Sequence, residues 1–209
     1  DSVASRGLGD VYKRQTSDSA FAIQANICRL NEGVSMERYE ALNERYFNWA
    51  KNNFHNLLEI LETREPNRPI WTWGQEKNVG FYIRRMTHES LVHMWDAETA
   101  ENEHISVDGD IACDGVDEFI DVSLQLAASR KEFNYPDGSL HLHRTDGEGE
   151  WLLEVADNEL IVKRVHEKGD VAVRGNALSL LLYLWGRQPE DIEIFGDSEL
   201  ARSWGSIAP

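Results

Sequence analysis

A glutamate and a histidine one helical turn apart are the residues in this sequence whose types and spacing best suit chemistry. Glu89 and His93 lie four positions apart, so in a helix both side chains point from one face. A carboxylate and an imidazole at this spacing are a common way to hold a divalent metal in a helical bundle. Asp96 follows on the same stripe and could orient the imidazole as a hydrogen-bond acceptor. The same spacing also fits a surface ladder of charge pairs, Arg85–Glu89–His93, that holds no metal.

Three arginines are candidates for holding an anionic substrate, because a guanidinium offers a fork of donors that matches a carboxylate. They are Arg84, Arg85 and Arg187. Two of them also have structural interpretations. Arg84 could pair with an acidic residue of a neighbouring helix, and Arg187 could cap the C-terminal end of a helix predicted over 176–187. The sequence leaves both interpretations open.

The other histidines and the cysteines give weaker signals. His141 and His143 lie two apart on a predicted strand and so share one face, but their alternation with leucines predicts that this face is solvated. A second metal site there is therefore the less favoured interpretation. His166 is predicted to lie at the surface, and Cys28 and Cys113 are predicted to be packed thiols rather than nucleophiles.

The elements that must position these residues fall into two parts. The first part carries apolar residues at a helical period, and its short links between long helices indicate an antiparallel bundle. Its helices are predicted over residues 17–31, 35–63, 78–103 and 110–131. Segments of strand type follow a cluster of turn-forming residues at 134–138. These strands are predicted over 139–144, 150–156, 160–166, 171–174 and 192–195, with helices over 176–187 and 198–204.

The fold class that this order predicts is α+β. A helical bundle occupies residues 16–132, and a small α+β domain with an antiparallel sheet occupies residues 133–209. Residues 1–15 show no amphipathic period and lack the apolar core of a signal peptide. We therefore expect an artificial or disordered terminus there.

Charge and composition exclude several classes of partner. Asp and Glu number 37 against 21 Lys and Arg, which gives a formal net charge of −16, and such a chain repels phosphate backbones and anionic lipid headgroups. The longest apolar run, at about 177–185, is shorter than the roughly 20 residues that span a bilayer. Two cysteines make no disulfide framework, which indicates reduced thiols in the cytoplasm. We expect no nucleic-acid partner and no membrane insertion.

Several segments of the sequence resemble the mycothiol-dependent maleylpyruvate isomerase family. The most specific is RRMTHESLVHMWDA over residues 84–97, which contains both Glu89 and His93. The resemblance extends over about residues 35–205 and is carried by residues 71–74, 79–98, 112–119, 170–187 and 195–197. It implies a metal-binding N-terminal bundle of the DinB type, followed by a smaller C-terminal α+β domain.

The resemblance also implies a set of metal ligands. In the family, two histidines and one glutamate hold a divalent metal, usually zinc, and the Glu-x-x-x-His pair matches Glu89 and His93. The other histidine belongs to an earlier helix, but residues 1–31 contain no histidine. The bundle is therefore expected to be incomplete at its start, with the third ligand in a missing upstream segment. His55 lies outside the family pattern and is a less favoured substitute.

Mycothiol, a low-molecular-weight thiol of actinobacteria, is the cosubstrate that the resemblance implies. A metal with an open position stabilises the thiolate of a bound thiol, which makes the thiol a nucleophile at neutral pH. We therefore expect a zinc-dependent isomerase or S-transferase that acts on a small electrophile, as a monomer or weak homodimer in the cytoplasm. The alternative is a non-catalytic protein of the same fold that binds a metal or a small ligand.

Overall fold

The computed structural model describes residues 36–100, 106–129, 133–157 and 159–207. The described residues fall into two compact units, which divide between Ile83 and Arg84. The terminus expected over 1–15 and the helix predicted over 17–31 lie outside the described residues. Within the described part, no helix is both long enough and apolar enough to cross a membrane.

The first unit contains one long helix and a structured loop. Helix α1 spans Met36–Glu62, as its apolar period predicts. In the loop that follows, the Nζ of Lys77 donates hydrogen bonds to the carbonyls of Thr72 and Gly74, at 2.7 Å each. Helix α2 spans Val79–Ala100, so it begins in this unit and continues into the second one.

Three consecutive helical segments replace the single helix predicted over 110–131. Helix α3 spans Gly109–Glu118, and the side chain of Asp108 caps its start by accepting hydrogen bonds from two backbone N–H groups. A π-helical turn follows over Phe119–Leu124, and α4 completes the segment over Gln125–Ala128. The predicted helix therefore exists, but its hydrogen-bond ladder changes register at the π-helical turn.

The second unit contains a five-stranded sheet. Its strands are β1 (Leu140–Arg144), β2 (Glu150–Ala156), β3 (Glu159–Lys163), β4 (Val171–Gly175) and β5 (Glu193–Gly196). Helix α5 (Ala177–Leu184) follows β4, and helix α6 (Ser198–Gly205) follows β5. The strand order is β3-β2-β1-β4-β5. Three neighbouring pairs are antiparallel, but β1 and β4 pair in parallel. The antiparallel sheet predicted from the sequence is therefore wrong at this one pair. The reason is the connection 164–170, which carries the chain from the edge strand β3 back to the start of β4 beside β1.

The core of the second unit joins one face of this sheet to the helices. Leu140 and Leu142 of β1 and Trp151 of β2 belong to the same buried cluster as Phe119 of the π-helical turn and Leu180 of α5. Removing such large apolar side chains from water is the main force that holds these elements together. Because the helical segment that starts with α3 shares this core, the compact unit begins well before residue 133.

The opposite face of the sheet carries the polar side chains of β1. His141 and His143 alternate with the core leucines and therefore point to this face. The connection 164–170 covers part of it, since the ring of His166 lies 5.2 Å from that of His141 and 5.3 Å from that of His143. The predicted solvation of the histidine face is therefore wrong for His141, which is only 6% exposed.

Candidate functional site

Glu89 and His93 face each other on α2. The Nε2 of His93 lies 3.5 Å from the Oε2 of Glu89, and the side chains are 63% and 16% exposed, respectively. This separation is close to the distance between two ligand atoms of one tetrahedral zinc ion, about 3.3 Å for bonds of about 2.0–2.1 Å. The pair is therefore open to solvent on the side of the imidazole and nearly closed on the side of the carboxylate.

The imidazole of His93 is oriented from behind by a carboxylate. Its Nδ1 lies 3.1 Å from the Oδ2 of Asp96, which confirms that Asp96 is placed to orient this ring. Asp96 is held in turn by Arg187, whose Nε and Nη2 donate hydrogen bonds to it at 3.0 and 2.5 Å. These hydrogen bonds from Arg187 outweigh the effect of partial burial and lower the pKa of Asp96. The Nε2 of His93 is thereby left facing Glu89.

The carboxylate of Glu89 is held by a buried arginine. The Nη2 of Arg85 donates to the Oε1 of Glu89 at 2.6 Å, which leaves Oε2 as the oxygen nearer His93. The Nη1 of Arg85 donates to both oxygens of Glu118 on α3, at 2.8 and 3.1 Å. Burial lowers the pKa of Arg85, but the two carboxylates more than offset this effect and raise the pKa above its usual value. Arg85 is thus a charged link between α2 and α3.

Trp185, at the C-terminal end of α5, lies beneath these side chains. The guanidinium of Arg85 stands 4.9 Å from the centre of its ring, and that of Arg187 stands 5.7 Å away. The ring of His93 meets Trp185 edge to face, with centroids 6.4 Å apart. The indole N–H is buried and has no hydrogen-bond partner among the described residues. A buried donor without a partner is costly to the fold.

Arg84 pairs with the neighbouring helix, as one of its two interpretations predicts. Its Nε donates to both oxygens of Asp114 on α3, at 3.0 and 2.9 Å. Asp114 also lies 2.8 Å from the Nε2 of the buried His88. Burial raises the pKa of Asp114, but the hydrogen bonds with Arg84 and His88 outweigh it, so the pKa is lowered.

The other predicted roles of the arginines have separate outcomes. Arg187 donates to the carbonyl of Trp185 at 2.6 Å, and Trp185 is the C-cap residue of α5, so the capping interpretation is confirmed. All three guanidinium groups are paired with carboxylates of this chain. Their role in holding an anionic substrate stays a prediction.

The third ligand, which is expected upstream of the described residues, stays a prediction. Among the described residues, no His, Cys, Asp or Glu side chain joins Glu89 and His93 in a group of three that could hold a metal. The segment 1–31, where the family pattern would place a histidine, lies outside the described residues. His55 lies on α1, in the first compact unit, and its Nδ1 bonds to the carbonyl of Lys51 at 2.7 Å.

A second group of donors lies on the polar face of the sheet. Glu150, the first residue of β2, contacts three imidazoles: the Nε2 of His141 at 2.7 Å, the Nδ1 of His143 at 2.6 Å and the Nδ1 of His166 at 2.9 Å. One ligand atom from each of the four residues lies within 4.8 Å of every other. We call these four residues the His₃Glu cluster. Partial burial raises the pKa of Glu150, but the three histidine hydrogen bonds outweigh it and lower the pKa.

The sequence contained part of the signal for this cluster. His143 and Glu150 flank a turn that contains Asp146 and Gly147, and they form a directly paired position of the β1–β2 ladder. A hairpin register drawn from that turn would have placed the glutamate beside the histidine. His166 could not be placed in this way, because β3 ends at Lys163 rather than at residue 166 as predicted.

Comparison with known proteins assigns one part of the chain. Residues 110–203 match the family model described as the MDMPI C-terminal domain. No curated protein and no solved structure matches the chain. The match begins in α3 and ends in α6, so it contains Glu118, Trp185 and Arg187 but not Glu89 and His93 on α2.

Proposed function

We propose that this chain is a metal-dependent isomerase or S-transferase. Its residues 110–203 match the MDMPI C-terminal domain, which supports the resemblance to the maleylpyruvate isomerase family. The enzyme would use a thiol of the mycothiol type to attack a small electrophile. The observation that carries the proposal is the Glu89–His93 pair, in which each ligand is fixed from behind by its own partner.

The donor atoms of this pair suit a zinc-type metal. Carboxylate oxygen and imidazole nitrogen are both donors that zinc takes. A histidine that binds a metal usually gives its other ring nitrogen to a carboxylate, and Asp96 provides this contact for His93. Glu89 and His93 would therefore hold the metal, together with a further ligand from outside the described residues. When bound, such a metal stabilises the thiolate form of a thiol.

The surrounding residues have distinct positioning roles in this proposal. Arg85 holds one oxygen of Glu89 and thereby fixes the direction of the other. Arg187 fixes Asp96, and Asp96 fixes the ring plane of His93. Trp185 lies beneath the pair, with its ring edge to face with that of His93.

The proposal is tested by metal content and thiol-dependent turnover in matched variants. Glu89→Gln and His93→Gln each remove one ligand, and Glu193→Gln is the control because its carboxylate is 59% exposed in a surface ion pair. Each protein is loaded with zinc, desalted and analysed by mass spectrometry, and isomerisation of maleylpyruvate is followed with and without mycothiol. We expect both ligand variants to lose the metal of the pair and their turnover, and the control to keep both. Full turnover in Glu89→Gln would sink the proposal.

Asp96→Asn tests the orienting role separately. The amide keeps the shape of the side chain but weakens its interactions with the imidazole and with Arg187. Residues that orient a ligand typically change metal affinity by about 10–100-fold. We therefore expect weaker zinc binding at unchanged stoichiometry, and an unchanged affinity would show that Asp96 does not act through His93.

A non-catalytic binding protein is the second candidate function. The observation that favours it is the 63% exposure of His93, which leaves this ligand less enclosed than a site that must exclude water. This candidate predicts metal binding at Glu89 and His93 without turnover of any electrophile, with or without a thiol. The activity assay above distinguishes it from the enzyme.

A further inference from the structure

We propose that the His₃Glu cluster, formed by His141, His143, Glu150 and His166, is a second metal site that binds a zinc-type divalent cation. It lies on the sheet of the C-terminal domain and shares no residue with the Glu89–His93 pair. The proposal does not depend on the enzymatic function proposed above.

The topology of the sheet brings the four residues together from three parts of the chain. His141 and His143 lie on the same face of β1, and Glu150 lies opposite His143 on β2. His166 comes from the connection 164–170, which passes over this face on its way from β3 to β4, since its ring lies 5.2 Å from that of His141. A metal at this point would fasten the connection to the first two strands.

The four side chains of the cluster already lie almost as close together as the ligands of a metal site. The ring centroids of His166 lie 5.2 Å from His141 and 5.3 Å from His143, and those of His141 and His143 lie 6.2 Å apart. All four candidate ligand atoms lie within 4.8 Å of one another. Ligand atoms of a closed tetrahedral zinc site are about 3.3 Å apart. Small rotations of exposed side chains, above all the 72% exposed His166, can supply the remaining contraction.

The donor set selects the class of cation. Three imidazole nitrogens and one carboxylate oxygen are ligands that zinc and the neighbouring first-row metals take, whereas Mg²⁺ and Ca²⁺ take sets made of oxygen alone. The single carboxylate also compensates part of the charge of a divalent ion. Four protein ligands leave no open position, which is the arrangement of a structural zinc site rather than a catalytic one.

The exposure of the four side chains increases from the strands to the connection, and this order suits a structural metal site. The side chain of His141 is 8% exposed, those of Glu150 and His143 are 24% and 29% exposed, and only His166 is largely exposed. Two strands therefore present three preorganised ligands, and the connection closes the site with the fourth. A preorganised set loses little conformational freedom on binding, which favours high affinity.

The test uses the full chain, stripped of metal by a chelator and titrated with Co²⁺ and then with Zn²⁺. His166→Gln is the principal variant because its exposed side chain contributes little to the fold, and His143→Gln is the second. His55→Gln is the matched control, since it removes an exposed histidine from α1. Glu89→Gln is included to separate the two metal sites.

We expect the wild type to give the intense visible absorption of tetrahedral Co²⁺, which Zn²⁺ displaces. His166→Gln and His143→Gln should each weaken this binding at least tenfold, and Mg²⁺ should not compete. The control and Glu89→Gln should keep the signal of the cluster. Binding unaffected in both cluster variants, or no binding by the wild type, overturns the second site. Loss of the signal in Glu89→Gln alone would assign the metal to the Glu89–His93 pair and would also overturn the second site. The turnover assay decides the enzymatic proposal independently.

Discussion

The change Glu118→Gln tests how much the buried ion pair between Glu118 and Arg85, the arginine that holds Glu89, stabilises the domain. Glu118 is 1% exposed, and it accepts hydrogen bonds at 2.8 and 3.1 Å from Arg85, whose side chain is 6% exposed. Removing one partner of a buried ion pair typically costs about 3–5 kcal/mol, because the other charge stays buried. Arg85 keeps Glu89 as a second carboxylate partner. We therefore expect the free energy of unfolding to fall by the lower end of this range, about 3 kcal/mol.

Glu193→Gln is the matched control for this prediction. It removes the glutamate of another arginine pair, 3.0 Å from Arg174, whose side chains are 48% and 59% exposed. Exposed pairs contribute only about 0–1 kcal/mol, because water and salt screen them. Both variants are unfolded in urea and followed by tryptophan fluorescence, with midpoints and slopes compared with those of the wild type. A loss in Glu118→Gln no larger than that in the control would refute the reasoning.

The same change should also affect Glu89, the proposed metal ligand that Arg85 holds. Without the Glu118 carboxylate, the guanidinium of Arg85 is fixed at one end only, so it holds Glu89 less firmly. Zinc affinity at the Glu89–His93 pair should then fall by about tenfold, as it does for other residues that orient ligands. Zinc titration of the variant measures this effect. A large loss of stability with unchanged affinity would show that the buried ion pair supports the fold without orienting the ligand.

Two further predictions concern packing and pH. In Gly115→Ala, the added Cβ would lie 2.8 Å from a methyl carbon of the buried Leu181. We therefore expect the free energy of unfolding, measured in urea, to fall by about 1–3 kcal/mol despite the better helix propensity of alanine. A gain in stability would show that Leu181 can move aside. Burial raises the pKa of Asp146, but the hydrogen bonds that it accepts from Arg144 at 2.8 Å and from the backbone N–H of Ala177 at 3.0 Å outweigh this effect and lower the pKa. A lowered pKa contributes stability above the unfolded value, about 3.9, that is lost as pH falls through the folded value. The difference in urea midpoint between wild type and Asp146→Asn should therefore be complete at about pH 7 and close below about pH 4; a difference that does not change with pH would contradict this assignment.

The parts of the fold that the sequence predicted are those with a clear period or a clear cap. The apolar stripe predicts the helix over 35–63, and the structure has α1 at Met36–Glu62. The alternating segments predict each strand of the sheet to within a few residues. The parallel pairing of β1 with β4 was not predictable in the same way. Parallel neighbours are usually joined through a helix, and the connection 164–170 contains none.

The two candidate sites differ in predictability for a related reason. Glu89 and His93 lie on one helix, so the sequence spacing alone brings them together. The residues that hold these orienting partners, Glu118 and Arg187, come from α3 and from the segment after α5, and no local pattern links them to α2. The His₃Glu cluster depends even more on topology, because His166 reaches the other ligands only through the crossover that the sequence did not reveal.

This dependence indicates what the residues that match the MDMPI C-terminal domain would contribute to the metal site proposed on α2. The ligand pair lies on α2, outside the matched residues 110–203, but the groups that fix it lie inside them. Glu118 holds the arginine that fixes Glu89, and Arg187 holds the aspartate that fixes His93. A helix alone could bring the two donor atoms within reach of each other, but it could not prevent them from rotating into solvent. In the proposed site, the matched residues would therefore set the direction of the two ligands rather than supply a ligand themselves.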